Sequence, residues 1–322
     1  MQIFQAPDEV KTKLGPCVAT IGKYDGMHLG HQRILSTLCE RARALDLPSL
    51  VILSEPQPEE FFSPETAPPR LNHFRDKVDF LEGFGIDAVL RLDFDARISA
   101  LAAERFVSDI LAEQLGVRVL VIGDDFRFGN QRRGDFALLQ SLADAHGYEV
   151  ISVDPCNCAS DRVSSTLVRA CLQAGDCARA AQLLGRPYSI GGQVVMGRQL
   201  GRQLGVPTAN LEVLTAKLPM SGVFAVTVEH EGASLPGVAN LGFKPTVSDE
   251  PAPSLEVHLL DYSGDLYGAW LRVNFLHWIR PECKFASIEE LKRRIGLDID
   301  AARAFHGLGP ASGSAARGKV SA

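Results

Sequence analysis

Between residues 17 and 153 the chain alternates short β-rich runs with longer helix-like segments. These segments space their apolar residues three and four apart and carry glycine near several of their ends, as amphipathic helices do. The β-rich runs are, in order, CVATIG, SLVILS, DAVLRL, VRVLVIG and YEVISV. The alternation predicts a mostly parallel sheet that is covered by helices on both faces. Because ligands of such sheets bind beyond the carboxyl ends of the strands, the residues that follow each run are the first candidates for a site.

The pattern changes near residue 187. From residue 188 to residue 279, short strand-like runs follow one another with turns between them, which predicts a small antiparallel barrel or sandwich. The segment SIEELKRRIGLDIDAARAFH predicts a closing helix, and Ser287 three residues before Glu290 fits a capping box at its start. We therefore expect two domains, residues 1–186 and 187–308, followed by a small, polar and disordered tail at 309–322.

Charge and hydropathy exclude several classes of partner. A net charge of −6 over 322 residues argues against a broad surface for nucleic acid or anionic membrane. No apolar stretch reaches the 18 or so residues that span a bilayer, and the first residues, MQIFQAPDEVKTK, lack the pattern of a signal peptide. We expect a cytoplasmic protein, monomeric or weakly homo-oligomeric, that binds neither nucleic acid nor membrane.

The segment IGKYDGMHLGHQ follows the first predicted strand and opens a predicted helix. His28 and His31 can donate hydrogen bonds to phosphate oxygens, and Gly30 removes a Cβ where phosphate would approach the backbone. The N-terminus of the helix adds its partial positive charge. Histidines that merely cap the helix are the alternative, but the strand-to-helix position favours an anion site.

A second polar segment, RVSSTLVR, also lies at a predicted helix start. Ser164, Ser165 and Thr166 supply hydroxyl groups for an N-cap, and Arg169 can reach the same face one turn later. A capped helix with a solvated arginine is one interpretation. Together with the histidines, the segment would instead complete a pocket for a triphosphate.

In the second half, GGQVVMGRQLGRQLGVPTANL combines glycines with neutral oxygen donors. We expect a loop whose backbone N–H groups cradle phosphate, although no G-K-[ST] ending marks a Walker A loop. Thr208 and Asn210 offer oxygens suited to Mg²⁺ that also binds substrate phosphates. A glycine-rich hairpin is the alternative. The glycines of this expected loop are Gly191, Gly192, Gly197, Gly201 and Gly205.

The run SLEVHLLDY alternates, so Leu255, Val257 and Leu259 share one face while Glu256 and His258 share the other. Glu256 is a candidate general base. From the residues alone, an exposed strand glutamate is the favoured interpretation.

Taken in order, these segments resemble the bacterial bifunctional riboflavin kinase/FAD synthetase family, over about residues 14–308. The first half of the resemblance rests on TIGKYDGMHLGHQ, EPQPEEFF, VIGDDFRFGNQRRGD and RVSSTLVRACLQAGD, and the second on GRQLGVPTAN, GVANLGFKPT and EVHL. It implies an α/β fold: a Rossmann-like HxGH nucleotidyltransferase domain with a parallel sheet, then a small antiparallel β-barrel riboflavin kinase domain with a C-terminal helix. It also implies an enzyme that phosphorylates riboflavin to FMN with ATP and then adenylylates FMN to FAD, releasing pyrophosphate, with Mg²⁺.

The resemblance assigns roles residue by residue. Glu256 would activate the riboflavin 5′-hydroxyl, His28 and His31 would act in adenylyl transfer, and Asp125 and Phe128 would line the flavin side. Thr208 and Asn210 would hold Mg²⁺ as well as ATP. The remaining ATP-binding assignments are Gly22, Asp25, Gly30, Ser164, Ser165, Thr166, Arg169, Gly192 and Gly197.

Three positions depart from the family's usual pattern. Lys23-Tyr24 stands where Asn-Phe is usual, Gln57 replaces the histidine of a Pro-His-Pro segment, and Met196 replaces a histidine before the glycine of the kinase loop. We expect Tyr24 to be tolerated, flavin contacts near Gln57 to be altered and nucleotide contacts near Met196 to change slightly.

Two other classes compete with this interpretation. A class I aminoacyl-tRNA synthetase shares the HxGH-like motif but needs a K-M-S-K-S-type loop, which the chain lacks. A flavin-binding regulatory protein with a decayed site would be expected to lose its phosphate-binding histidines or its glutamate first, and His28, His31 and Glu256 are all present.

Overall fold

The computed structural model describes residues 1–197, 205–244 and 252–309. Its chain forms two compact units. Met1–Val168 and Leu183–Gly185 make up the first, and Arg169–Gln182 and the chain from Arg186 onwards make up the second.

The first unit is built on a six-stranded sheet whose strands all pair in parallel. Its strands are β1 (Gln2–Phe4), β2 (Cys17–Gly22), β3 (Ser49–Glu55), β4 (Ala88–Asp93), β5 (Val117–Gly123) and β6 (Glu149–Val153). The five strands predicted from the sequence are all present, and the short β1 adds an edge. In the order β1-β4-β3-β2-β5-β6 the chain reverses direction across the sheet between β2 and β5. A switch point of this kind opens a crevice at the carboxyl ends of the two strands.

Helices follow the strands, as the periodicity predicts. The helices of this part are α1 (Pro7–Lys13), α2 (Leu29–Leu45), α3 (Pro58–Phe62), α4 (Phe74–Phe84), α5 (Ala96–Ala100), α6 (Ala103–Arg105, continued by a π-type helix, Phe106–Gln114) and α7 (Phe136–His146). A short hairpin then pairs β7 (Asn157–Cys158) with β8 (Asp161–Arg162). The helices α8 (Ser165–Gln173) and α9 (Cys177–Leu184) come next in the chain.

The sheet is buried on both faces, because its strands are apolar at nearly every position. Along β2, Ala19 and Ile21 pack into one hydrophobic cluster, whereas Val18 packs into the other. Side chains of a strand alternate between faces, so these clusters are the two layers of core on either side of the sheet.

The second unit contains a closed antiparallel barrel, in the order β10-β13-β12-β11-β14-β9. Its strands are β9 (Tyr188–Val195), β10 (Ala209–Leu211), β11 (Gly222–His230), β12 (Ala233–Lys244), β13 (Ala252–Leu259) and β14 (Trp270–Arg280). Phe224 and Phe275, both fully buried, meet edge to face inside it with centroids 5.1 Å apart. The helix α10 (Ile288–Phe305) follows, and Ser287 accepts a hydrogen bond from the Glu290 N–H at 3.1 Å, as the predicted cap requires. The predicted fold class is therefore confirmed.

The expected glycine loop is wrong in its first part. Gly191 and Gly192 lie inside β9, paired with β14, rather than in a loop. A Cβ on Gly192 would lie 2.6 Å from the backbone carbonyl of Glu212, so the glycine allows two chain segments to approach closely. Gly201 and the predicted tail beyond residue 309 lie outside the described residues. None of the helices in the described ranges combines the length and apolar character that a bilayer-spanning segment requires.

Candidate active sites

The segment after β2 forms the first site. Its residue His28 is the N-cap of α2, and its Nδ1 accepts a hydrogen bond from the His31 N–H at 3.3 Å. Since Nδ1 acts as an acceptor, the proton of a neutral His28 lies on Nε2, which is then a donor. The first turn of α2 carries no acidic residue, so its partial positive charge is not offset there. The cap and the anion site, alternatives in the sequence, are compatible in the structure.

His31 stacks on His28, with ring centroids 3.6 Å apart. Its Nδ1 is buried and has no hydrogen-bond partner within the described part of the chain. Burial lowers the pKa of His31 well below its usual value, and the nearby positive charges of His28, Lys77 and Lys23 lower it further. His31 is therefore neutral at pH 7, and its buried Nδ1 is left without a hydrogen bond among the described residues.

Gly30 is required by the ring of His28. A Cβ at Gly30 would lie 3.2 Å from two atoms of that imidazole, closer than ordinary van der Waals contact. The glycine thus leaves the His28 ring in place over the start of the helix and keeps the backbone open on that side.

The start of α8 is joined to the histidine segment within the first unit. Ser164 caps the helix, since its Oγ accepts from the Leu167 N–H at 3.2 Å. Ser165 donates its hydroxyl to the backbone carbonyl of Asp25 at 2.8 Å. The Asp25 carboxylate is buried and accepts from the backbone N–H groups of Leu71 and Asn72, at 3.0 and 3.1 Å. Asp25 therefore holds three chain segments together.

A cavity of about 770 Å³ lies at the carboxyl ends of the strands in the first unit. Gly22, Lys23, Asp125 and Phe128 all line it. Phe128 stacks on Phe126 with centroids 5.6 Å apart. The other aromatic side chains of the lining are Phe62, Phe94 and Phe106. An aromatic wall beside charged groups suits a flat, conjugated ring that carries a phosphate.

In the second unit, two cavities meet at the PTAN segment. One measures about 600 Å³ and is lined by Tyr262 and Tyr267, and the other measures about 310 Å³ and is lined by Glu256. Thr208 and Asn210 line both cavities. A group held by these two side chains can therefore face ligands in either cavity.

Glu256 lies directly opposite Asn210 in the antiparallel pairing of β13 with β10. Lys244 bridges the two residues: its ammonium forms an ion pair with the Glu256 carboxylate and donates to Asn210 Oδ1 at 3.1 Å. His258, two residues along from Glu256, hydrogen-bonds through Nδ1 to the Pro207 carbonyl at 2.8 Å and so holds the PTAN segment.

Gly197 lies against the same residues. A Cβ at this position would overlap the side-chain amide of Asn210, so only glycine leaves that amide where it is. Met196, beside it, is exposed. The GVANLGFK part of the segment that carries the resemblance lies in β12, while residues 245–247 lie outside the described ranges.

Comparison with known proteins finds matches that cover both sites. A sequence model of the FAD synthetase family matches residues 10–167, and one of the riboflavin kinase family matches residues 184–306. A bifunctional riboflavin kinase/FMN adenylyltransferase from Pseudomonas fluorescens is 47% identical over 304 residues, 94% of this chain and 97% of that protein. One from Escherichia coli strain K12 is 46% identical over 307 residues, 95% of this chain and 96% of that protein.

This chain belongs to the bifunctional riboflavin kinase/FMN adenylyltransferase family. The family, the fold class and the bifunctional enzyme activity predicted from the sequence are confirmed.

A solved structure extends the likeness to three dimensions. A protein described as a macrolide-efflux protein from Streptococcus pneumoniae is 27% identical, with a TM-score of 0.79, and the match covers 94% of this chain and 99% of that chain. That description belongs to the other protein, and what the two chains share is the fold.

Sequence reasoning missed a buried network of charges beside the first site of this riboflavin kinase/FMN adenylyltransferase family member. Lys77 is fully buried and pairs with Glu55, itself 5% exposed, at 3.0 Å. Arg70 pairs with Glu55 at 2.7 Å and with Glu60 at 2.5 Å. The network ties α4 to the segment after β3, part of which lines the cavity. A signal was present, because Lys77 lies four residues before the buried Leu81 on the apolar face of α4.

Three residues that depart from the family pattern, Tyr24, Lys23 and Gln57, lie among the described residues of the first unit. Tyr24 is buried, and its hydroxyl is 2.6 Å from Thr20 Oγ1. Lys23 pairs with Glu59 at 2.6 Å on the cavity wall. Gln57 is buried, and its Nε2 has no hydrogen-bond partner among the described residues. The expected effects of these departures on substrate contacts remain predictions.

Proposed function

We propose that the second unit phosphorylates riboflavin to FMN with ATP, and that the first unit then transfers AMP from a second ATP to FMN, forming FAD. One observation supports the kinase site above all: Thr208 and Asn210 border both cavities, and Asn210 faces Glu256 across a strand pair. A phosphoryl donor in one cavity and an acceptor in the other would meet at these side chains.

In the kinase reaction, riboflavin occupies the smaller cavity with its 5′-hydroxyl toward Glu256, which lines that cavity. The carboxylate accepts the hydroxyl proton as the oxygen attacks the γ-phosphorus of ATP, and ADP leaves. Thr208 and Asn210 orient the phosphates so that the attack is in line. His258 preserves this arrangement through its hydrogen bond to Pro207.

The donors at this point fit Mg²⁺. They are a hydroxyl, an amide oxygen and a carboxylate, the hard oxygen ligands that Mg²⁺ takes together with water and substrate phosphates. The ammonium of Lys244 contacts two of these residues, Glu256 and Asn210, which shows that their oxygens attract positive charge. Within the described ranges, no group of three or more histidine, cysteine or acidic side chains could hold a metal. Thr208 and Asn210 would therefore hold a metal that ATP brings, and bound Mg²⁺ would neutralise charge on the phosphates.

In adenylyl transfer, an FMN phosphate oxygen attacks the α-phosphorus of ATP and pyrophosphate leaves, so the protein supplies position and charge rather than a nucleophile. His28 donates through Nε2 to a phosphate oxygen, and His31, stacked on it at the start of α2, holds its ring in position. The N-terminus of α2 stabilises the negative charge that develops on the leaving group.

The other assigned residues contribute to binding under this proposal. Asp125 and Phe128 line the cavity for the flavin of FMN. Ser165 and Asp25 contribute to ATP binding indirectly, because their hydrogen bond fixes the segment after β2 against the start of α8. The further ATP-binding positions of the proposal are Gly22, Gly30, Ser164, Thr166, Arg169, Gly192 and Gly197. The domain division at residues 186 and 187, the cytoplasmic location and the oligomeric state remain predictions from the sequence.

One assay tests the proposal. The purified chain is incubated with riboflavin, ATP and Mg²⁺, and flavins are separated by chromatography over time. FMN should rise first and FAD should follow, and added FMN should give FAD directly. Omission of Mg²⁺ tests the metal separately. Failure to form FMN from riboflavin would refute the kinase half, and failure to form FAD from FMN would refute the other half.

A further inference from the structure

Lys244 lies at the end of β12 and lines the cavity that also contains Glu256. Its side chain is about one-third exposed (34%), and its ammonium contacts Glu256 and Asn210 together. These two partners stand on different strands, β13 and β10, and directly oppose each other. The ammonium is thus placed where the two cavities of the second unit meet.

Among the described residues that line this cavity, Arg280 is the only lysine or arginine besides Lys244, and its guanidinium already has hydrogen-bond partners. Arg280 donates through Nε and Nη2 to the Asp298 carboxylate, at 2.9 and 2.7 Å, and through Nη1 to the Pro281 carbonyl at 2.8 Å. Moving Arg280 toward a phosphate would break this buried pair, since Asp298 is 5% exposed. Lys244 is held by two partners that themselves belong to the reaction centre, and the described contacts use two of its three N–H donors.

The geometry points to Lys244 as a further catalytic residue of the kinase, one that binds the phosphoryl group in transfer. This inference rests on the proposed kinase function and on Glu256 as its base. During transfer the bond from the γ-phosphorus to the β,γ-bridging oxygen breaks, the bond to the riboflavin 5′-oxygen forms, and the hydroxyl proton moves to Glu256. Lys244 keeps its proton throughout and donates hydrogen bonds to the equatorial phosphoryl oxygens.

The charge balance explains why the ammonium changes partner. Before the reaction, the Glu256 carboxylate and the Asn210 oxygen attract it. As the proton reaches Glu256, that carboxylate becomes neutral, while negative charge is spread over the transferred phosphoryl group. The attraction of Lys244 therefore shifts to the phosphoryl group during the step itself. An interaction that strengthens only in the transition state raises kcat rather than lowering KM.

The test compares substitutions in the full-length chain. Lys244→Met removes the charge and keeps the length of the side chain, and Lys244→Arg keeps a positive charge. Lys292→Met, an exposed lysine on α10, is the matched control. We expect Lys244→Met to lower the kcat of FMN formation by about 100-fold, as loss of one transition-state donor does, with a nearly unchanged KM for riboflavin. Lys244→Arg should retain more activity, and Lys292→Met should match the wild-type chain.

A double substitution distinguishes this role from simple neutralisation of Glu256. In a Glu256→Gln chain no carboxylate remains to be neutralised, so adding Lys244→Met should cost nothing further if neutralisation were its only role. We expect a clear further loss of kcat. An unchanged rate in that background, normal turnover by Lys244→Met, or a folded Lys244→Arg chain no better than Lys244→Met would overturn the assignment. A wild-type chain that makes no FMN would instead refute the proposed function on which it rests.

Discussion

The imidazole rings of His28 and His31 stack with their centroids 3.6 Å apart and their planes 15° apart. The same two residues are joined through Nδ1 of His28 and the backbone N–H of His31. Two charges at this separation would repel, so at most one ring of the pair carries a proton charge, and the lowered pKa of His31 makes it the neutral one. The arrangement depends on the turn between them and on Gly30, which leaves room for the first ring.

Removing either ring should affect one activity of the enzyme. We expect His28→Ala and His31→Ala each to lower kcat and kcat/KM for FAD formation from FMN, because the rings interact with phosphate charge as it redistributes. FMN formation from riboflavin should be nearly unchanged. Steady-state kinetics of both reactions on the same preparations would check this. Equal loss of the two activities would indicate a folding role for the histidines.

Acid should destabilise the first unit through His31. Burial, followed by the nearby charges of His28, Lys77 and Lys23, lowers the pKa of His31 well below 6.5 in the folded chain. In the unfolded chain the His31 imidazole takes up a proton near about pH 6.5, whereas in the folded chain it stays neutral to a lower pH. The free energy of unfolding therefore falls as the pH drops below about 6.5. Urea denaturation at pH 7.5 and at pH 5.5, followed by far-UV circular dichroism, would measure the decrease. His31→Gln should reduce the pH dependence, and an unchanged slope would contradict the assignment.

The Glu256→Gln chain tests the proposed base. Glutamine keeps the size of the side chain but cannot accept the hydroxyl proton, so the kcat of riboflavin phosphorylation should fall by at least about 100-fold. FAD formation from added FMN should persist. If FMN formation stays near normal, the base must be another group on the segment, such as His258 or Asp261.

Gly197→Ala should disturb the kinase site through Asn210. A Cβ at position 197 overlaps the Asn210 amide, so that side chain must move and its contact with nucleotide phosphates should weaken. We expect a higher KM for ATP in FMN formation and unchanged FAD formation. Gly296→Ala, where a Cβ meets nothing within 4 Å on α10, is the control and should leave both rates unchanged. Equal ATP affinities for the two variants would show that Gly197 does not constrain the site.

Lys77→Met should destabilise the first unit. It removes one partner from a buried ion pair, a change that usually costs about 3–5 kcal/mol. Because Arg70 still pairs with Glu55, we expect the lower end of that range, about 3 kcal/mol. The midpoint of urea-induced loss of FMN adenylylation would report the change. Lys13→Met removes a pair between side chains that are 59% and 45% exposed, so its effect should be below about 0.5 kcal/mol. Similar midpoints for the two variants would contradict this account of the network.

The sequence alone determined the architecture and the positions of the principal motifs. Alternation of short apolar, β-rich runs with period-3.6 segments is a local property of the chain, so strands β2 to β6, the helices between them and the change to a small antiparallel barrel or sandwich were predictable. The faces of β13 followed from the same rule, with Leu255, Val257 and Leu259 buried. Cap residues such as Ser164 and Ser287 act on neighbouring N–H groups and were predictable for the same reason.

Only the tertiary structure decided what depends on groups far apart in the chain. Gly192 lies in a strand because it pairs with Leu271 on β14, far along the chain, and no local pattern records that pairing. Lys77 is paired with Glu55, 22 residues away, and Lys244 reaches Asn210, 34 residues away. Periodicity gives the face on which a side chain lies, but electrostatic pairing depends on a few ångströms between segments, and only the folded chain sets that distance.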